Sequence, residues 1–266
     1  MTNETGTWVR YGENEEYQGY LVRQADPQKP GIVVIQEIWG VEAHIRDVVR
    51  RIAAEGYNVI APNLFFEDGK QIPELADERV QSAKRFLDTV PPSEWRDEAA
   101  REAKLAGYPE DERIQLSQTL VRVFSAPAQV PHFLSSASAA VRYLNQSGSK
   151  QVAVVGFCMG GAMAAQMALQ GGIQASAVFY GNLPKPEQAA QLTCPVMGFF
   201  GELDTRITSQ VPAFQEAAET NGKLFDPHIY AEAQHAFFND TRSSYDERSA
   251  KEAYPRLLEF FRSHLS

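Results

Sequence analysis

The part of the sequence that points most directly to chemistry is a cysteine between glycines, Cys158. The β-branched residues 152–155 lead into Gly156-Phe157-Cys158-Met159-Gly160-Gly161, and a small-residue stretch predicted to be helical follows at 162–169. This strand–turn–helix order predicts a nucleophile elbow, with Cys158 at the tip of a sharp, strained turn. Flanking glycines are needed there because a β-carbon would collide with the neighbouring strand or helix. The alternative is an unreactive cysteine buried in a tight turn.

A cysteine nucleophile needs a base, and the base needs a group that orients it. Asp204 follows a buried-strand pattern at residues 195–200, and His235 follows another at 223–230, so nucleophile, acid and histidine occur in the order expected for this elbow. Both lie just past a predicted strand end, where open α/β sheets place their ligands. Asp204 would accept a hydrogen bond from one imidazole nitrogen and leave the other facing the thiol. Taken singly, Asp204 is typical of a cap on a helix starting near Ser209, and His235 of a surface histidine.

Strand and helix patterns alternate along the chain. The hydrophobic periodicity predicts an opening hairpin at 7–10 and 17–22, further strands at 31–36, 58–61, 175–180, 195–200 and 223–230, and helices at 43–55, 130–144, 211–220 and 247–265. Between residues 73 and 124 the segments are charged and helical in pattern, with breaks at Pro91-Pro92 and Pro109. This alternation predicts the α/β class, with a mostly parallel twisted sheet and helices on both faces. We expect one domain over residues 1–266.

Composition restricts the class of partner. The 266 residues are 44% hydrophobic, enough for a large core, and the net charge of −9 argues against nucleic acid because no basic stripe is present. Two cysteines are too few for a disulfide framework, which favours a reducing compartment. The polar N-terminus lacks the apolar core of a signal peptide, and no apolar stretch is long enough to span a membrane. We therefore predict a cytoplasmic protein, monomeric or a small homo-oligomer, with a small-molecule partner.

Five motifs together resemble the dienelactone hydrolase family, the carboxymethylenebutenolidase-like branch of the α/β-hydrolase superfamily. They extend over nearly the whole chain: Gln36-Glu37-Ile38-Trp39-Gly40, Ala61-Pro62-Asn63-Leu64-Phe65, Gly156-Phe157-Cys158-Met159-Gly160-Gly161, Gly201-Glu202-Leu203-Asp204 and His235-Ala236-Phe237-Phe238-Asn239. The resemblance implies the α/β-hydrolase fold. It also implies that Glu37 contacts the resting thiol and helps to deprotonate it when substrate binds, and that the amides of Ile38 and Met159 form the oxyanion hole.

Glu37 is unusual on physical grounds as well. It ends a predicted buried strand, where a charge is costly unless it is paired or used. A second negative charge near Cys158 would disfavour ionisation of the thiol and so protect it from oxidation. The alternative is a strand-end carboxylate paired with a surface arginine.

The chain departs from the family pattern in two places. Asn239 stands where family members acting on dienelactones carry an arginine that grips the substrate carboxylate, and the first arginine after His235 is Arg242. We therefore expect Glu37 to lack its family partner and a carboxylated lactone to lose its anchor. The second departure is a helical insertion before the elbow strand, at about residues 66–130, which is either a lid over the site or a surface decoration.

The sequence also offers candidate residues for a substrate pocket and bears on whether a cofactor is needed. Trp39, Phe65 and Phe238 are candidates for an apolar acyl pocket together with Asn239, although aromatic residues near strand ends are more often core residues. The other histidines show no metal-like spacing, and no nucleotide fingerprint is present, so no metal or other cofactor is implied.

These features together predict a cysteine-dependent hydrolase of ester or lactone bonds that forms a thioester on Cys158. Two alternatives remain open. The same residues suit a different electrophile, such as a thioester or an organophosphate ester. Less favoured is a non-catalytic ligand-binding or redox-responsive thiol protein, since such a protein has no need for an aligned histidine and aspartate.

Overall fold

The computed structural model describes residues 6–67, 69–91, 94–95 and 97–265. The strands are β1 (Thr7–Tyr11), β2 (Tyr17–Val22), β3 (Gly31–Ile35), β4 (Asn58–Pro62), β5 (Phe66–Glu67), β6 (Lys70–Gln71), β7 (Val152–Phe157), β8 (Ser176–Phe179), β9 (Val196–Gly201) and β10 (Phe225–Tyr230). The helices are α1 (Ala43–Ala54), α2 (Asp77–Leu87), α3 (Glu98–Leu105), α4 (Glu110–Ser125), α5 (Val130–Gln146), α6 (Met159–Gln170), α7 (Thr205–Thr208), α8 (Val211–Thr220) and α9 (Glu247–His264).

Among the described residues, one sheet of eight strands has the order β1-β2-β4-β3-β7-β8-β9-β10. The strands from β4 to β10 in this order pair in parallel, whereas β2 pairs antiparallel with both β1 and β4. The elbow strand β7 lies near the middle, between β3 and β8. The predicted mostly parallel α/β sheet is therefore confirmed.

The central strands are apolar throughout because helices cover both faces of the sheet. In β3 the side chains alternate, so that Val33 and Ile35 face one hydrophobic cluster and Ile32 and Val34 face the other. Apolar residues of α5 and α6 complete the first cluster, and those of α1 and α9 complete the second. The core strands are thus fixed in register, since a one-residue shift would exchange the two faces.

Most predicted elements appear within two residues of their expected bounds, and α8 has the expected ones. The predicted strand at 223–230 begins only at Phe225, because the amide of Lys223 instead caps α8 by donating to the carbonyl of Ala218 at 2.9 Å. The antiparallel pair β5–β6 was not predicted, since strands of two residues carry no periodic signal. The expectation about the N-terminus concerns residues 1–5, and the break at Pro91-Pro92 includes Pro92; these positions lie outside the described residues.

The connection from β7 to α6 depends on glycines at two positions. A β-carbon on Gly156 would lie 1.9 Å from the carbonyl oxygen of Gly160, and one on Gly160 would lie 2.4 Å from that of Ile35 in β3. The start of α6 therefore packs directly on the backbone at the end of β3. Cys158, between these contacts, adopts φ 55° and ψ −113°, a strained conformation for a non-glycine residue.

The expected helical insertion contains α2, α3 and α4, and α4 packs against both α2 and α3. Ion pairs connect α2 and the residue that follows it to α1 and to the loops after β3 and β10: Arg46 of α1 with Asp77 at 2.8 Å, Lys84 with Glu42 at 3.0 Å, and Arg242 with Asp88 at 3.1 Å. The insertion thus lies against the segments that follow β3 and β10. In the described part of the chain, every helix is too short or too polar to cross a bilayer.

The elbow packing predicts a large difference between two glycine substitutions. Gly156→Ala should lower the free energy of unfolding by more than about 3 kcal/mol, because its β-carbon collides with backbone that cannot move independently. Gly107→Ala is the matched control, since its nearest neighbour atom would be 3.7 Å away, an ordinary contact. Thermal unfolding followed by circular dichroism measures both, and similar melting temperatures for the two variants would contradict the elbow packing.

Candidate active site

Five neighbouring parallel strands, β3, β7, β8, β9 and β10, end at the same edge of the sheet. The residue or loop after each end carries one polar side chain of the candidate site. In strand order across the sheet these are Glu37, Cys158, Tyr180, Asp204 and His235. The carboxyl edge of a parallel sheet is where α/β proteins bind their ligands, so the topology alone gathers these groups.

Cys158, His235 and Asp204 form a continuous hydrogen-bonded chain. The Sγ of Cys158 lies 3.2 Å from Nε2 of His235, and Nδ1 of His235 lies 2.5 Å from Oδ2 of Asp204. The ring is therefore held with one nitrogen towards the carboxylate and the other towards sulfur. This arrangement can accept a proton from the thiol and keep the resulting imidazolium paired.

The electrostatics of His235 follow from these two neighbours. Burial lowers the pKa of His235, but the negative charge on Cys158 and the hydrogen bonds with Asp204 and Cys158 outweigh it and raise the pKa to about 10. A protonated imidazole therefore lies beside the sulfur, where it can pair with a negative charge that forms there.

The loop that carries His235 lies close against the end of β9. A β-carbon on Gly201 would lie 2.5 Å from the carbonyl oxygen of Ala233, and that same carbonyl accepts a hydrogen bond from the amide of Leu203 at 2.9 Å. Asp204 occupies the N-cap position of α7, which begins at Thr205 rather than near Ser209. Among the described residues its carboxylate makes no capping hydrogen bond and instead reaches His235.

Glu37 is almost completely buried, and both of its carboxylate oxygens accept hydrogen bonds. The hydroxyl of Tyr180 donates to Oε1 at 3.0 Å, and Nδ2 of Asn239 donates to Oε2 at 2.8 Å. Glu37 thus lacks the family arginine, as expected from the sequence, but the amide of Asn239 reaches the carboxylate from that position and is its partner instead. The hydrogen bonds of the described residues connect the carboxylate of Glu37 with these two side chains and not with Cys158.

Tyr180 is the site residue that the sequence analysis missed. Burial, together with the charge and hydrogen bond of Glu37 and the charge of Cys158, raises the pKa of Tyr180 well above its usual value, so the phenol stays protonated and remains a donor. Its ring packs edge-on against His235, with centroids 5.2 Å apart, and its φ is positive at 39°. The available signal was its place directly after β8, on the same sheet edge as the other residues.

The two backbone amides expected at an oxyanion hole lie on adjoining segments. Met159 is the first residue of α6, so its amide is among those at a helix start that have no acceptor within the helix. Ile38 lies in the loop after β3, and Gln36 steadies that loop by accepting from the amide of Leu64 at 3.2 Å and donating to the carbonyl of Glu37 at 3.3 Å. The close approach of Gly160 to β3 keeps the two segments together.

The aromatic residues expected in an acyl pocket are nearly buried, with 5% of Trp39 and 2% of both Phe65 and Phe238 exposed. Phe65 packs edge-on against Phe133, and Phe238 stacks on Phe157 at 5.7 Å. Their contacts are those of core residues.

Neither the second cysteine, Cys194, nor a metal-binding cluster adds a reactive group to the site in the described residues. Burial raises the pKa of Cys194 to about 11, against a weaker opposing effect of its hydrogen bond with Thr193, which makes this thiol a poor nucleophile. Within the described ranges, no cluster of three or more histidine, cysteine, aspartate or glutamate side chains is arranged to hold a metal ion.

Comparison with known proteins identifies the family of the chain. Residues 17–265 match the model of the dienelactone hydrolase family. A Saccharolobus solfataricus protein provisionally named carboxymethylenebutenolidase is 30% identical over 241 residues, covering 90% of this chain and 91% of its own length. One with the same provisional name from Escherichia coli O157:H7 is 30% identical over 265 residues, covering 95% and 84%.

Solved structures show the same relationship. The crystal structure of a provisionally named dienelactone hydrolase from Klebsiella pneumoniae has a TM-score of 0.67 and 25% identity, and the alignment covers 97% of this chain and 98% of that one. Fold and sequence similarity therefore agree over nearly the full length. This chain belongs to the dienelactone hydrolase family, within the α/β-hydrolase fold.

Proposed function

We propose that the protein is a cysteine-dependent hydrolase of ester or lactone bonds in small molecules. Membership of the dienelactone hydrolase family makes it a hydrolase of this type, and the choice of nucleophile rests on one observation. Cys158 stands at a strained elbow with His235 at 3.2 Å and Asp204 behind it at 2.5 Å. A binding protein gains nothing from this alignment, whereas thiol catalysis requires it.

In the proposed reaction the thiolate of Cys158 attacks the carbonyl carbon, and the carbonyl oxygen becomes an oxyanion that accepts hydrogen bonds from the amides of Ile38 and Met159. Collapse of this intermediate breaks the bond to the alkoxide, which takes the proton from Nε2 of His235 and leaves a thioester. His235 then removes a proton from water, which attacks the thioester. The Cys158 sulfur leaves and the acid product forms, while Asp204 keeps the ring aligned throughout.

Glu37 is the proposed regulator of the thiol. Its buried negative charge opposes a second negative charge on Cys158, whereas the imidazolium of His235 favours it. The hydrogen bonds from Tyr180 and Asn239 hold the carboxylate in place in the free protein. Substrate binding would release it to help deprotonate Cys158, as the family resemblance implies.

We further propose a substrate class and a role for the helical insertion. Asn239 is engaged by Glu37, which favours a substrate without the carboxylate that the family arginine grips. We propose that α2 to α4 form a lid-like wall of the site, supported by the contacts of α2 with the loops after β3 and β10. Trp39, Phe65 and Phe238 would then support the pocket from behind. A thioester or organophosphate ester would use the same residues.

We also propose a cellular compartment for the protein from the state of its cysteines. Both cysteines are free, which suits a reducing compartment such as the cytoplasm.

The nucleophile is tested by substitution. Cys158→Ala should lower kcat for a chromogenic acyl ester by at least about a thousandfold without unfolding the protein, since the residue contributes little core volume. Cys158→Ser should also be poor, because a hydroxyl needs much stronger base assistance than a thiol. Cys194→Ala is the matched control and should retain activity. An alanine variant at Cys158 that still turns over would rule out thiol catalysis.

The triad should behave as one unit. His235→Ala should cost about as much kcat as Cys158→Ala, and Asp204→Asn somewhat less, because each removes the same step. In the double variant of Cys158 and His235 the loss should match that of a single variant. A loss of kcat equal to the product of the two single losses would contradict a catalytic step that both residues share.

Glu37→Gln separates thiol regulation from an ordinary triad. With the repulsive charge gone, iodoacetamide should label Cys158 faster near pH 7, by about threefold or more, while kcat falls. His235→Ala should move labelling in the opposite direction, because the imidazolium that favours the thiolate is lost. Mass spectrometry distinguishes Cys158 from the slow Cys194. Unchanged labelling and turnover in Glu37→Gln would leave Glu37 a purely structural carboxylate.

A further inference from the structure

A line of hydrogen bonds runs from the helical insertion to Glu37. The Nζ of Lys84 in α2 donates to Oγ1 of Thr241 at 3.0 Å, and that hydroxyl donates to Oδ1 of Asn239 at 2.7 Å. Nδ2 of Asn239 in turn donates to Oε2 of Glu37 at 2.8 Å. The family resemblance assigns nothing to Lys84 or Thr241, and the proposed mechanism does not use them.

The line has a fixed direction. The backbone amide of Thr241 also donates to Oδ1 of Asn239, at 3.0 Å, so this side of the Asn239 amide faces two donors. Only the carbonyl side of an amide accepts hydrogen bonds, so the NH₂ side has to face Glu37. On the other side of the carboxylate, the hydroxyl of Tyr180 is a second donor. Lys84, Thr241 and Asn239 therefore each donate in the direction of the Glu37 carboxylate, which accepts.

Lys84 is an unusual origin for such a line, because only 2% of its side chain is exposed. A buried ammonium group is costly unless it is paired, and Lys84 is paired with the equally buried Glu42 at 3.0 Å. The same Nζ lies 5.6 Å from the ring centroid of Trp39, two residues after Glu37. The cation thus contacts both segments that hold Glu37: the loop after β3 and the loop after β10.

We propose that Thr241 and Lys84 are positioning residues that hold Glu37 through the amide of Asn239. The inference rests on the proposed role of Glu37 at Cys158. In this arrangement Thr241 fixes the amide orientation, and Lys84 polarises the Thr241 hydroxyl and supplies the distant positive charge. Lysine and asparagine together thereby take the place of the arginine that family members acting on dienelactones carry at position 239.

Thr241→Val tests the proposal, because it removes the hydroxyl and keeps the shape of a residue that is largely exposed. A buried carboxylate that loses a well-oriented donor is held less firmly as an anion, so labelling of Cys158 by iodoacetamide should become faster by about two- to fivefold. The kcat for a chromogenic ester should fall by about five- to tenfold. Thr241→Ser restores the hydroxyl and should restore both values.

The matched control is Thr89→Val. Thr89 is also exposed and lies just after α2, and its hydroxyl donates to the carbonyl of Phe86 at 2.7 Å. This variant loses one hydrogen bond of the same kind without touching Glu37, so labelling and turnover should stay as in the unmodified protein. If Thr89→Val changed labelling and turnover as much as Thr241→Val does, the Thr241 effect would reflect a general loss of local stability. That result would overturn the proposal.

A double-mutant cycle decides whether Thr241 acts through Glu37. In a Glu37→Gln background, Thr241→Val should change the labelling rate by less than about twofold, the range expected for uncoupled sites. An undiminished effect in that background would overturn the proposal. Labelling needs no substrate, so this result stands even if the unmodified protein fails to hydrolyse esters, which would contradict the proposed function instead.

Lys84 needs a charge-balanced variant, because Lys84→Met alone would leave Glu42 as an unpaired buried charge. The double variant Lys84→Met with Glu42→Gln removes both charges and keeps the side-chain volumes. Its labelling rate should rise in the same direction as in Thr241→Val, and the rise should disappear when Glu37→Gln is added. If Thr241 shows coupling and this variant does not, the part assigned to Lys84 is wrong.

Discussion

The candidate site depends on the close backbone contact between the first turn of α6 and the end of β3. That contact exists only because Gly156 and Gly160 have no β-carbon: the carbonyl oxygens of Gly160 and Ile35 would lie 1.9 and 2.4 Å from one. It bends the chain at Cys158 into a conformation that costs free energy, which the surrounding sheet and helix supply. The same contact brings the amide of Met159 beside the loop of Ile38. The same contact between α6 and β3 therefore determines where the Cys158 sulfur lies and where the amides of Met159 and Ile38 lie.

Several groups that carry or can acquire a negative charge lie close together around this elbow. Glu37, Asp204 and the sulfur of Cys158 all lie at one edge of the sheet, and His235 is the cation in contact with two of them. Glu37 is instead surrounded by neutral donors, the phenol of Tyr180 and the amide of Asn239. Neutral donors stabilise a buried carboxylate without placing a competing positive charge against the imidazole. In the proposed mechanism the charges of His235 and Glu37 therefore act on the sulfur in opposite directions.

The sequence predicted most of the fold, since β-branched runs, helical periodicity and glycine positions are local signals. It also predicted that Cys158, Asp204 and His235 would lie at strand ends, and their hydrogen-bonded geometry follows from parallel pairing. It did not predict Tyr180, because a tyrosine after a strand is common in cores. It also did not predict that Asn239 itself would be a partner of Glu37. Recognising that Asn239 replaces an arginine says nothing about which way its amide turns, and that orientation depends on Thr241, a contact visible only in three dimensions.

The salt bridge between Lys84 and Glu42 has a consequence for how such hydrolases diverge or are recombined. The segment containing α2 looks like an exchangeable module on the outside of the sheet, yet its lysine is buried against the loops after β3 and β10. A chimera that takes this segment from a relative without a lysine at this position would bury an unmatched carboxylate unless residue 42 changes with it. Domain shuffling at this border is therefore constrained by electrostatics inside the protein rather than by the shape of its surface.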